Sequence, residues 1–266
     1  RSKMKMIPEY ADDQLRLMNR GEREIYKKIR GCEGAYAAWT CYHSLLLPEH
    51  KSKAEGEIDF VLSGPSGLIC LEVKGSQRIE RENGIWRYFK PGNADYYEED
   101  SPLRKVHDHM YSLTARIRRS GISIDNKNCC YGVLFPFTQL TVDDEEFSRE
   151  IVYDETDHRA DFSVYLTRLL DYYRNKPGTP VMANDLSSET LEGLRLFLRG
   201  NFLMAPSLFA DSIRVEEERK YLTAQQLTVL QYFDANDRIL VDGTAGTGKT
   251  VIRSEERRVG KECRYR

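Results

Sequence analysis

The most constraining feature of this sequence is a strand that is strongly apolar and still carries two opposite charges. Residues 68–74 read Leu-Ile-Cys-Leu-Glu-Val-Lys, so that Glu72 and Lys74 share one face while aliphatic residues form the other. A strand this apolar belongs inside a sheet, where charged groups must be paired or used. Residues 57–63 alternate in a similar way, and the Gly-Pro-Ser-Gly turn at residues 64–67 predicts that the two strands run antiparallel.

Asp59, on the neighbouring strand, is placed to meet this charged pair. Two converging carboxylates bind a hard divalent cation, and Mg²⁺ takes one or two carboxylates while keeping waters and a substrate phosphate oxygen. The cation would activate a water and neutralise charge on a phosphate. Lys74 could orient or deprotonate that water, or act as a point charge. The alternative is a solvated edge strand, in which these residues form a surface salt bridge with Asp59.

The segment before these strands predicts a helix followed by a first strand. The helix carries an apolar stripe in which Glu22 occupies the position of a core residue, and the stripe consists of Leu15, Met18, Ile25 and Ile29. Residues 36–47 are rich in aromatic and aliphatic side chains and predict a strand. A carboxylate therefore lies where the helix should face the core.

The segment after residue 74 predicts a hairpin, a second helix and a fourth strand. Asn83-Gly84 is typical of a hairpin turn, here within residues 77–89, which would extend the sheet or cover its edge and to which we assign no function. Ser101 caps a predicted helix that ends near Gly121, and residues 131–135 form a short buried strand. The predicted fold is an α/β core in the order helix, three strands, helix, strand.

Beyond this first domain, residues 1–140, the pattern becomes helical. An acidic run at residues 143–146 marks the boundary, and helices are predicted over residues 161–174 and 189–198. We interpret residues 141–220 as a helical connector.

Several short segments together resemble the nuclease-related domain, or NERD, family. They are Gly21-Glu22, Glu57-Ile58-Asp59, Leu71-Glu72-Val73-Lys74-Gly75 and Gly84-Ile85-Trp86. The resemblance covers about residues 16–140. The family is assigned to the PD-(D/E)xK, restriction-endonuclease-like fold, so the resemblance implies a nuclease that depends on Mg²⁺ or Mn²⁺ and cuts DNA, with RNA not excluded.

Carried over residue by residue, the resemblance implies that Asp59 and Glu72 are the metal ligands, Lys74 the catalytic lysine and Glu22 the glutamate of the first helix. All four residue types are intact. A departure from the broader nuclease superfamily is that Glu57-Ile58-Asp59 replaces a Pro-Asp dipeptide, which makes Glu57 a candidate extra ligand.

A second motif follows a predicted strand at residues 238–241 and fits the pattern GxxxxGK[ST]. Its glycines allow backbone N–H groups to surround phosphates, Lys249 reaches their charge and Thr250 can ligate Mg²⁺. The sequence therefore predicts an ATP-binding loop formed by Gly243, Thr244, Ala245, Gly246, Thr247, Gly248, Lys249 and Thr250.

The residues around this loop resemble the beginning of a superfamily 1 helicase. Residues 222–226, Leu-Thr-Ala-Gln-Gln, are similar to its Q motif, in which Gln226 would read adenine. Residues 221–252 are thus expected to be a truncated P-loop start, too short for ATPase activity by itself. Residues 253–266 resemble translated cloning-vector sequence and are expected to be a non-native tail. The parent protein would then join a nuclease to an ATP-driven motor in DNA processing or repair.

Charge and composition indicate a cellular location but do not identify a binding partner. The net charge of -2 neither favours nor excludes a nucleic-acid partner, because a nuclease needs only a local basic surface. No run of eighteen apolar residues occurs, so we expect a cytoplasmic protein without a membrane partner. The six cysteines show no CxxC spacing and are expected to be buried, reduced thiols. The oligomeric state is left open.

Two other classes of function stay open. A DNA-binding or regulatory module would hold phosphates without cutting them, through Lys74 and the nearby cations Arg78, Arg81 and Arg87. An ATPase whose N-terminal domain only docks partners would tolerate the replacement of Asp59 and Glu72.

Overall fold

The described part of the chain is a mixed α/β structure. The computed structural model describes residues 2–47, 56–92, 94–176 and 185–203, together with Ile213. Its strands are β1 (Lys5–Ile7), β2 (Thr40–Leu47), β3 (Gly56–Gly64), β4 (Gly67–Val73), β5 (Ile79–Glu82), β6 (Ile85–Phe89), β7 (Tyr96–Glu99), β8 (Cys129–Leu134) and β9 (Val152–Tyr153). Its α-helices are α1 (Asp12–Leu17), α2 (Arg20–Arg30), α3 (Pro102–Arg119), α4 (Glu155–His158), α5 (Phe162–Asn175) and α6 (Ser188–Arg199).

Six strands form the main sheet in the order β1-β2-β3-β4-β8-β9. β3 pairs antiparallel with β2 and with β4, whereas β8 runs parallel to both β4 and β9. β4 is therefore an interior strand, and all seven of its residues are buried. The antiparallel strand pair predicted around residues 64–67 is confirmed. The predicted order helix, three strands, helix, strand is present as α2, β2 to β4, α3 and β8, but β1 and α1 precede it and β5 to β7 are inserted before α3.

Helix α3 covers the sheet as its sequence predicts. The Ser101 side chain accepts a hydrogen bond from the Arg104 backbone N–H, and Pro102 occupies the first turn. The apolar stripe of the helix is buried, and it consists of Leu103, Val106, Met110, Leu113 and Ile117. Lys105 flanks this stripe, and its ammonium group reaches Glu72 of β4.

Two predictions for the N-terminal segment are wrong in detail. The apolar stripe from Leu15 to Ile29 is divided between α1 and α2, because the Asn19 side chain caps α2 by accepting a hydrogen bond from Gly21 N–H at 2.9 Å. The strand predicted over residues 36–47 begins only at Thr40. Residues Gly34–Ala38 instead form a 3₁₀ turn that carries the Tyr36 ring into the core.

The predicted hairpin at Asn83-Gly84 is present, but it does not extend the main sheet. β5 and β6 join β7 in a separate three-stranded sheet in the order β5-β6-β7. The ring of Trp86 stacks on Phe135 with 6.3 Å between centroids and attaches this sheet to the end of β8.

The two helices predicted beyond residue 140 are confirmed as α5 and α6. β9 adds a parallel strand to the main sheet, and Leu166 and Leu169 of α5 are fully buried. Residues Arg1–Asn201 form one compact unit. The domain boundaries at residues 140, 220 and 252 stay predictions. The Q motif, the P-loop and the predicted tail lie outside the described residues.

Two smaller expectations concern thiols and membranes. Five cysteines are buried free thiols, as predicted, and they are Cys32, Cys41, Cys70, Cys129 and Cys130. Cys263 lies outside the described residues. In the part of the chain that the structure describes, none of the helices has the length and apolar character needed to cross a membrane.

Candidate active site

The candidate site lies where the ladder between β3 and β4 ends. The last paired residues are Phe60 and Leu71, so Asp59 and Glu72 come next on their strands. The Asp59 carboxylate replaces the missing ladder contact, because its Oδ2 accepts a hydrogen bond from the Val73 backbone N–H at 2.7 Å. The strand ends therefore bring the two predicted metal-binding carboxylates together.

The ladder on the other side of Asp59 is also interrupted. Ser44 of β2, which stands opposite Asp59, has φ of 56° and leaves a gap between the pairs His43–Phe60 and Leu45–Ile58. Such a left-handed conformation costs roughly 1–2 kcal/mol in a residue with a side chain. Arg199 of α6 stabilises it by donating hydrogen bonds to the carbonyl oxygens of His43 at 2.9 Å and Ser44 at 3.0 Å.

Glu72 is a fully buried carboxylate whose two oxygens have different surroundings. Its Oε1 lies 2.6 Å from Lys105 Nζ and 3.2 Å from Lys74 Nζ. Its Oε2 is buried and has no hydrogen-bond partner among the described residues. An unpartnered oxygen of a buried carboxylate is costly, which is typical of a group that serves a ligand.

Lys74 is held between two carboxylates. It follows β4, its backbone N–H donates to Leu134 O at 2.9 Å, and its side chain is only 8% exposed. Its Nζ contacts Glu72 and, at 2.5 Å, the carboxylate of Glu99 on β7. Burial by itself lowers the pKa of Lys74, but the Glu72 and Glu99 carboxylates outweigh it and raise that pKa above its ordinary value. The side chain is therefore an ammonium at neutral pH.

Glu22 reaches the edge of the site because two glycines allow the backbones to approach. A Cβ on Gly21 would lie 2.7 Å from the Gly75 Cα, so a larger residue at Gly21 would push α2 away from the end of β4. The Glu22 Oε2 lies 3.1 Å from Nε2 of the buried His43. The structure thus brings Glu22 next to the site but pairs it with a histidine.

The pKa of Asp59 records how closely these groups converge. Burial, and then the neighbouring Glu72 carboxylate, raise it well above the ordinary value, and Glu22 adds to the rise. The Val73 N–H and Lys105 act in the opposite direction. Like charges that repel in this way are stabilised by a cation between them.

The alternative of a solvated edge strand is wrong for these residues. Glu72 is 1% exposed and β4 lies between β3 and β8. The ion pairs of Lys74 are with Glu72 and Glu99. Glu57, the candidate extra ligand, is exposed and its carboxylate accepts a hydrogen bond from Ser44.

Comparison with known families assigns the segment that contains this site. Residues 18–136 match the nuclease-related domain, NERD. No curated protein and no solved structure matches the chain. The match includes all four predicted catalytic residues and the three-stranded sheet, whereas the predicted nucleotide-binding residues lie beyond its end.

The two carboxylates of the candidate site, Asp59 and Glu72, suit a divalent cation. Within the described residues, no group of three or more His, Cys, Asp and Glu side chains is arranged to hold a metal. Mg²⁺ needs fewer protein ligands, because it characteristically keeps several waters. The free Oε2 of Glu72 and the raised pKa of Asp59 indicate a place for positive charge. These two residues therefore fit the implied metal.

Four residues of the candidate site were missed by sequence analysis. Glu99, Lys105, His43 and Tyr88 each contact a predicted residue: Glu99 and Lys105 through ion pairs, His43 through Glu22, and Tyr88 with its ring centroid 5.2 Å from Lys74 Nζ. Lys105 gave a signal, because it is a charged residue next to the buried stripe of α3. The other three depend on strand pairing that has no local signature.

Proposed function

We propose that the NERD domain of this chain is a metal-dependent nuclease with the restriction-endonuclease-like fold, and that it hydrolyses phosphodiester bonds in DNA. The observation that carries the proposal is the convergence of Asp59 and Glu72 beside Lys74, with a buried Glu72 oxygen that has no hydrogen-bond partner in the part of the chain that the structure describes. A structural cluster would satisfy that oxygen. RNA remains a second substrate to be tested.

In this proposal Asp59 and Glu72 hold Mg²⁺ or Mn²⁺, and Glu22 supplies an outer carboxylate. The bound cation would lower the pKa of a water and offset charge on the phosphate. Asp59 is aligned for this role by the Val73 N–H, which occupies its Oδ2. His43 restrains Glu22 in the same way.

Lys74 acts in this proposal as a fixed positive charge and not as a proton acceptor. Its two carboxylate partners keep it protonated at neutral pH, so it has no free lone pair with which to take a proton from water. An ammonium at this place attracts a phosphate and offsets the negative charge that develops on it. Deprotonation of the attacking water by Lys74 is the alternative role.

One observation favours the second candidate, a nucleic-acid-binding module without cleavage. Lys74 and Lys105 both contact Glu72, so the charge of Glu72 is balanced by protein groups alone.

The other cations that the binding-module hypothesis requires form ion pairs away from the site, which counts against that hypothesis. Their ion pairs are Arg78 with Glu80, Arg81 with Asp144 and Glu146, and Arg87 with Glu82 and Glu98. The nuclease is therefore the better-supported function.

The test is cleavage of linear, nicked, circular and single-stranded DNA, and of RNA, by the whole chain with Mg²⁺, Mn²⁺ or EDTA. Glu72→Gln and Lys74→Ala should each lower the rate by at least about 100-fold without loss of folding. Glu80→Gln, at a half-buried glutamate of β5 that pairs with Arg78, is the matched control and should cut at the wild-type rate. Calorimetric binding of Mn²⁺ by a folded wild type that cuts none of the substrates would favour the binding module.

For the C-terminal region we propose, on sequence grounds alone, ATP binding by the P-loop, with Gln226 as the adenine-reading residue. In the parent protein this would couple cutting to an ATP-driven helicase motor in DNA processing or repair. Binding of a fluorescent ATP analogue should be lost in Lys249→Ala and weakened in Gln226→Ala, with Gln225→Ala as control. Retained binding in Lys249→Ala would contradict the proposal.

We further propose a cytoplasmic location. Its support is the set of five free, buried thiols, since cysteines stay reduced in the cytosol. Fractionation of cells that express the chain would test it.

A further inference from the structure

The strand β7 presents two adjacent tyrosines to opposite sides of the three-stranded sheet. Tyr97 pairs with Tyr88 of β6, and Tyr96 pairs with Phe89. Their exposures are similar, 42% for Tyr97 and 48% for Tyr96. Because side chains alternate along a strand, Tyr97 shares its face with Glu99, the partner of Lys74, while Tyr96 lies on the other face.

On the face of the sheet that carries Tyr97 and Glu99, the rings of Tyr88 and Tyr97 form a continuous path from the candidate site to solvent. Lys74 Nζ lies 5.2 Å from the centroid of the buried Tyr88 ring. The Tyr97 ring stacks on Tyr88 with 5.3 Å between centroids and an interplanar angle of 22°. The Tyr88 hydroxyl is buried and has no hydrogen-bond partner among the described residues. Tyr97 is thus a supported, partly exposed ring beside the candidate site, where Lys74 and Lys105 are paired with the carboxylates of Glu72 and Glu99.

A nucleic-acid strand is the occupant that matches both properties. In the proposed function the ammonium group of Lys74 attracts a phosphate at this site, and an aromatic ring held by a second ring offers a flat surface for a base. Every base has a π-face, so such stacking tolerates different sequences. A base inside a duplex already stacks on its neighbours and must be extruded before it can use the ring.

We infer that Tyr97 stacks on an unpaired base next to the bound phosphate, and that the site accordingly prefers single-stranded nucleic acid, or ends with unpaired bases, over continuous duplex. This inference rests on the proposed nuclease function for the place of the phosphate. It adds a substrate class and a residue that recognises it. Tyr96, on the opposite face, has no part in it.

The first experiment measures stacking without cleavage. Tyr97→Trp and Tyr96→Trp are prepared in the whole chain and titrated in EDTA with an oligothymidine and with a duplex of equal length. The single strand should quench the tryptophan fluorescence of Tyr97→Trp, and the duplex should need at least about 10-fold higher concentration for the same quenching. The fluorescence of Tyr96→Trp should not change. The native Trp39 and Trp86 are buried and common to both variants. Equal responses of the two variants, or none, would overturn the inference.

The second experiment separates this inference from the proposed function. Tyr97→Ala should raise KM for single-stranded DNA by about 10-fold and leave kcat and duplex cleavage nearly unchanged, and Tyr96→Ala should behave as wild type. If wild type cuts single strands and the two alanine variants do not differ, the inference is wrong and the nuclease stands. If nothing is cut but Tyr97→Trp is quenched by the single strand, the nuclease proposal fails and the stacking site stands.

Discussion

The two sheets of this molecule contribute to one charged cluster in opposite ways. β4 of the main sheet is buried along its whole length and supplies Glu72, whereas the four residues of β7 are all exposed and supply Glu99. A buried carboxylate between packed strands has one position, and a carboxylate on an exposed strand can adjust. We therefore expect the main sheet to define the metal-binding geometry. The three-stranded sheet should stabilise the charge of Lys74 and contribute to substrate binding.

The largest expected effect is a difference between the two sheets in the unfolding free energy that is lost when an isoleucine is truncated. Ile69→Ala in β4 removes a side chain with no exposure and should cost about 2–5 kcal/mol of unfolding free energy. Ile85→Ala in β6, where the side chain is 43% exposed, should stay within about 0.5 kcal/mol. Urea unfolding of both variants measures the difference. Similar losses would mean that the three-stranded sheet belongs to the same core.

A somewhat smaller effect should come from the attachment between the sheets. Trp86→Ala removes the ring that stacks on Phe135, and should lower the free energy for local opening of β5–β7 by about 3 kcal/mol. Hydrogen exchange should accelerate over residues 79–99 and stay slow in β3 and β4. Uniform acceleration through both sheets would contradict the division between them.

The next effect concerns catalysis. Glu99→Gln keeps a hydrogen-bond acceptor near Lys74 but removes the charge, and should lower kcat by about 3- to 10-fold while KM and the melting temperature stay constant. Glu98→Gln is the matched control, because the Glu98 side chain lies on the opposite face of β7 and pairs with Arg87. A loss of the same size in both variants would show a general effect of β7 and no specific role for Glu99.

The smallest effect should be a pH-dependent gain in stability. Because the pKa of Asp59 is raised, its ionised form is disfavoured by folding, so the wild type in EDTA loses stability as pH rises from 3.8 through the folded-state pKa. The asparagine of Asp59→Asn can still accept a hydrogen bond from the Val73 N–H, and this variant should melt at a higher temperature than the wild type at pH 8. The difference should vanish below the unfolded-state value of 3.8.

Metal ions sharpen the same measurement. Millimolar Mg²⁺ or Mn²⁺ should raise the melting temperature of the wild type at pH 8 and leave Asp59→Asn nearly unchanged, since a ligand stabilises only the state that binds it. A variant that melts below the wild type in EDTA would show that the charge of Asp59 is satisfied by the protein.

Local patterns predicted the elements with strong periodicity and missed those defined by contacts between distant residues. The strands around the turn at residues 64–67 and the helix capped by Ser101 were predicted because alternation, turn residues and the cap are adjacent in sequence. Asn19, by contrast, divides a continuous apolar stripe through one side-chain hydrogen bond. Tyr36 turns into the core where a strand was expected.

For the candidate site, the sequence by itself determined which residues share a strand face. Glu72 and Lys74 are two residues apart, so the pleat places them on one side without help from the rest of the chain. Asp59 follows from the adjacent hairpin. Only the tertiary structure decided that Glu99 and Lys105 contact this pair, because their positions depend on a separate sheet and on the packing of α3. Ionic contacts between distant segments have no sequence period, so they become visible only when the strands and helices are assembled.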